Sequence, residues 1–144
     1  MYYKLLSSDL RSYLTSGGFY KDGMVQYKLN EFVYPVVKNS KLFVFSSIAG
    51  VKTFCDNESY NDNESYNLFI CMKYGDLKLF TCEVLNPTNY TTPISENKSL
   101  IAIQKYWDNQ TAYIKSHNCR DIPDDTIVCD AIKLTKEIHF TEIE

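Results

Sequence analysis

Apolar and polar positions along the chain change rhythm several times, and each change marks an element. Tyr2–Leu6 (YYKLL) reads as an opening strand, and Ser7–Ser16 as a polar, weakly helical stretch stopped by Gly17-Gly18. Met24–Leu29 (MVQYKL) alternates apolar with polar and predicts a second strand. Phe32–Val37 is extended but carries Pro35, which removes a backbone donor and suits a sheet edge or a loop. The clearest unit follows. Leu42-Phe43-Val44-Phe45 is a fully apolar strand, Ser46-Ser47 offers a capping hydroxyl, and Ile48, Val51 and Phe54-Cys55 then fall at helical spacing.

A six-residue segment, DNESYN, next occurs twice in succession, at residues 56–61 and 62–67. Two short polar copies are no solenoid unit. They predict a duplicated surface loop, because loops absorb insertions at small entropic cost. Leu68–Tyr74 and Leu77–Leu85 flank Gly75-Asp76 and read as a β-hairpin. After a loop over Asn86–Pro93, Ser95 would cap a longer helix to about Lys115, with Leu100, Ile103, Trp107 and Ile114 on one stripe. A polar turn over Asn118–Asp125 leads into strands at Thr126–Leu134 and Glu137–Phe140, with a bend at Thr135-Lys136. The expected architecture is α+β: a mainly antiparallel sheet with one short and one longer helix packed on it. With no linker or shift of composition, residues 1–144 form one domain.

Composition narrows the partners more than it names them. The net charge is −3 with only two arginines, Arg11 and Arg120, and the lysines gather into no block. This argues against nucleic acid as the main partner. No apolar run is long enough to span a bilayer, so no membrane partner is expected. Five cysteines, an odd number without a CxxC pair, fit reduced thiols, and the first residues carry no apolar leader. The Asn-x-Ser/Thr triplets at Asn89 and Asn109 then reflect composition rather than glycosylation. Together these predict a cytoplasmic location.

Candidate chemistry is sparse. The oxygen donors of the repeat lack the alternating spacing and central glycine of a calcium loop. His117 with Cys119 has no second ligand pair for zinc, and the chain holds neither a G-x-S-x-G elbow nor a glycine-rich phosphate loop. No metal, cofactor or catalytic residue is predicted. What remains is a candidate ligand site. Ser46-Ser47 at a helix N-terminus would offer free backbone donors to an anion, with Glu83 and Tyr74 as further members.

The stretch Tyr34-Pro35, Leu42–Ser47 and Phe54 resembles a strand-helix pattern of small phage and large-DNA-virus proteins that carry no assigned activity. Pro123, Thr126, Asp130, Ile132, Leu134 and Ile138 loosely match the end of that pattern, with Asp130 one place late. The chain departs from it at Gly50-Val51 and in the DNESYN insert. Phe43–Phe54 is also similar to the strand-turn-helix of ADP-ribosyltransferase-type domains, which would give Glu83 a role. However, Tyr2–Leu6 lacks the Arg or His which that resemblance requires. The leading expectation is a non-enzymatic binding module, a viral or phage accessory protein acting in the host cytoplasm on a protein or small-molecule ligand. A nucleotide-binding or ADP-ribosyltransferase-like domain using the Ser46-Ser47 turn is the alternative, and a homo-oligomeric assembly component a third.

Overall fold

The computed structural model describes residues 1–12, 25–58, 68–94, 100–119 and 121–143. Among these residues, seven strands form one antiparallel sheet: β1 (Tyr2–Ser7), β2 (Phe32–Val33), β3 (Leu42–Phe45), β4 (Leu77–Leu85), β5 (Thr88–Asn89), β6 (Thr126–Cys129) and β7 (Ala131–Ile138). Their order in space is β2-β7-β4-β1-β3-β6-β5. Among the described residues, four helices accompany them: α1 (Ile48–Glu58), α2 (Leu68–Lys73), α3 (Leu100–Asp108) and α4 (Gln110–Ser116). A 3-10 turn, Phe140–Glu142, follows β7.

One connection determines the shape. Only Asp130 separates β6 from β7, yet β3, β1 and β4 lie between them in the sheet. Four strand spacings in a flat sheet would span about 19 Å. Two peptide units reach less than about 8 Å. The sheet therefore rolls up, so that Thr126–Ile138 acts as one bent strand pairing with β3 at one end and β4 at the other. Two apolar layers result. Leu6, Val25, Tyr27, Val44, Phe80, Cys82, Cys129, Ile132 and Leu134 fill the inner face. Leu5, Val51, Phe54, Leu68, Cys71, Leu79 and Ile138 form the outer layer, where α1 and α2 pack.

The bend expected at Thr135-Lys136 is a β-bulge. Thr81 pairs with Lys136 and Cys82 with Leu134, leaving Thr135 as the extra residue. The extra residue changes parity, so Leu134 faces the inner layer and Ile138 the outer one. Across the bulge, Thr135 and Thr81 exchange a hydroxyl hydrogen bond of 2.8 Å. The sequence placed the strand break here, whereas the strand ends at Asp130 and Phe140 belongs to the 3-10 turn.

Four other expectations are corrected. Leu68–Lys73 is a helix, and no hairpin forms at Gly75-Asp76. Leu68 and Cys71 are buried one helical turn apart, while Gly75 takes φ +80. Gly75 N donates to Met72 O at 3.1 Å and Asp76 N to Cys71 O at 2.8 Å, which is a Schellman C-cap. The single long helix is two. Asn109 ends α3 and caps α4, its Oδ1 accepting from Ala112 N at 3.1 Å. The stretch after β1 is no helix as far as it is described: Leu10 N returns to Ser7 O, and Leu6 bridges Ser12. Val25–Leu29 makes isolated bridges, Gln26 to Arg11 and Leu29 to Leu134, rather than a ladder strand. Gly17-Gly18, Ser95 and residues 59–67 of the repeat lie outside the described residues, while α1 runs into the first copy.

Candidate functional site

The strand-serine-helix unit forms as expected. Ser47 Oγ accepts from Gly50 N at 2.9 Å and so caps α1. The same hydroxyl donates to Asp125 Oδ2 at 2.7 Å, and Ser46 N donates to Asp125 O at 2.9 Å. Asp125 adopts φ +64 in the turn before β6. A Cβ built on Gly50 would come within 3.0 Å of Asp124 O and 3.1 Å of Asp125 Cβ. The turn before β6 is thus seated directly on the start of α1. The Asp125 carboxylate is held at the start of α1 through the Ser47 hydroxyl.

The structure places Tyr74 at the far end of β1 from Glu83, Ser46 and Ser47, the other residues assigned to one ligand site. Glu83 lies on the outer face of β4, where Lys133 Nζ stands 2.9 Å from its Oε2. Tyr74 is the C-cap of α2, 71% exposed, with Lys73 Nζ 6.0 Å from its ring centroid. It precedes Leu77, which pairs with Ser7 at the end of β1, whereas Glu83 follows Cys82, paired with Tyr2 at its start. Ser46 and Ser47 are engaged by Asp125.

Register brings a different set together around Glu83. Phe32, Lys133 and Glu83 form a row across β2, β7 and β4, and the Lys133 ammonium also lies 5.0 Å from the Phe32 ring centroid. Further along, Leu85 pairs with Ala131 on β7, and Tyr34 follows Val33, the last paired residue of β2. Tyr34 is 59% exposed and Leu85 36%. Tyr34 and Leu85 are thus open to solvent near the Lys133–Glu83 ion pair, while Ala131 is fully buried. Sequence reading found Glu83 but missed Phe32, Tyr34, Leu85 and Lys133. Strand parity marks each as outward-facing, but which strands adjoin is not a local signal.

Lys4 lies on the inner side of β1. Lys4 alternates with Tyr2 and Leu6 on β1 and so points into the inner layer. Its Nζ donates to Phe43 O at 2.6 Å and lies 5.3 Å from the Tyr27 ring centroid. Burial lowers its pKa from 10.5 to about 8, against a smaller opposing influence of the Cys129 and Cys82 thiols. The same burial pushes Cys82 up to about 12 and Cys129 up to about 11, so both thiols stay protonated and unreactive at neutral pH.

The remaining candidates are held in structural contacts. His117 stacks on Tyr113 with centroids 3.8 Å apart, and its Nδ1 lies 3.0 Å from Tyr113 O and 2.9 Å from Ser116 Oγ. His139 N donates to Glu142 Oε1 at 3.0 Å at the start of the 3-10 turn. Phe43, Tyr90, Tyr106 and Trp107 form an aromatic cluster between β3 and α3. Its hydroxyls are satisfied: Tyr90 and Tyr106 bond each other, Tyr106 donates to Pro93 O at 3.1 Å, and Gln110 Nε2 donates to Tyr90 at 2.8 Å. Among the described residues, no group of three or more His, Cys, Asp or Glu side chains could hold a metal ion, and no helix is long and apolar enough to cross a membrane. Comparison with protein families, curated proteins and solved structures finds no match to this chain.

Proposed function

We propose that this chain is a non-enzymatic binding module that recognises another protein through the outer face of β2, β7 and β4. The observation that carries this reading is that exposed Tyr34 and Leu85 each lie two residues along their strands' course from the Phe32–Lys133–Glu83 row. Aromatic groups and aliphatic groups set around a charge pair are the composition of an interface centre, where Tyr anchors the contact and the charges fix orientation. The state of the other candidate groups supports the same view. The thiols of Cys82 and Cys129 are held protonated by burial, and Asp125 occupies the start of α1. On the phage and viral resemblance, the partner is a host protein and the compartment the host cytoplasm.

The test places a photo-cross-linking amino acid at Tyr34 and, as a control, at exposed Asn39. The expected result is one dominant protein adduct from position 34 that is absent from position 39. The purified partner should then bind the wild-type chain at least about tenfold more tightly than the Tyr34→Ala/Leu85→Ser variant, a loss of about 1.4 kcal/mol or more. Equal adducts from both positions, or unchanged affinity, would overturn the assignment. Stabilisation by a nucleotide or NAD that disappears in Ser46→Ala/Ser47→Ala would favour the nucleotide-binding alternative instead. At one hundred times its dissociation constant such a ligand adds about 2.7 kcal/mol.

A further inference from the structure

We draw no further inference here: the strongest candidate, the side-chain cluster at the turn after β1 in which Arg11 Nε donates to Gln26 Oε1 at 3.0 Å, already sets the guanidinium 3.4 Å from the Asp9 carboxylate, and nothing in the structure shows what else it would bind.

Discussion

At the scale of single residues, Lys4 and its neighbours set the pH behaviour of the fold. The Lys4 pKa falls from 10.5 to about 8 on folding. Between those values the unfolded chain binds more protons at this site, so the stability it contributes rises with pH and is lost as pH falls through about 8. Cys82 and Cys129 act in the opposite sense. Their pKa values rise from 9.0 to about 12 and about 11, so stability from these groups falls once pH exceeds 9. Comparing wild type with Lys4→Met isolates the lysine from the thiols. Urea denaturation should show Lys4→Met at least as stable as wild type at pH 7, with the balance shifting toward wild type by pH 10. A stability difference that stays flat across that range would refute the assignment. The position of Lys4 was legible, since alternation on YYKLL puts it on one face with Leu6. The surroundings of its ammonium were not, because they depend on what β4, β6 and residues 25–29 bring opposite it.

At the scale of elements, the start of α1 links two distant segments. Ser47 caps the helix and bonds Asp125, while Ser46 N bonds Asp125 O. Ser47→Ala removes both hydroxyl bonds and should cost about 1 kcal/mol. Asp125→Ala removes only the carboxylate. In thermal denaturation the double variant should be destabilised by less than the sum of the singles, because the two groups share one bond. Strict additivity would show that the contact contributes nothing. The capped unit Leu42–Phe54 was readable because a strand, a serine and a helical repeat are adjacent signals. Leu68–Lys73 was misread because its run of five apolar residues, Leu68–Met72, fits either period. Gly75 served as a helix C-cap where its neighbour Asp76 suggested a hairpin. The break at Asn109 was hidden because the apolar stripe resumes beyond it, and only the capping bond to Ala112 N marks the division.

At the scale of the whole molecule, an antiparallel α+β arrangement followed from the alternating segments, but its rolled form did not. Nothing local in Thr126–Ile138 shows that its two halves serve opposite ends of the sheet. The joint is fixed by long-range contacts instead. Lys41 and Asn86 both bond the Asp130 carboxylate, and Asp130 N donates to Leu85 O at 2.9 Å. These partners come from segments that only the complete fold brings together. The same holds for the proposed binding face, whose residues derive from three strands far apart in the sequence.

That shared strand makes cooperativity a property of the covalent chain. Because β6 and β7 are a single bent rung, neither end of the sheet can detach without straining its continuation at the other. Native-state hydrogen exchange should therefore give the amides of Val44 on β3 and Val84 on β4 the same opening free energy, equal to that of global unfolding. Should Val44 exchange through a cheaper opening while Val84 stays protected, the bend at Asp130 would be a hinge between two foldons. If the two amides agree, the chain has no stable half, and its pairings of high sequence separation must form in one slow concerted step.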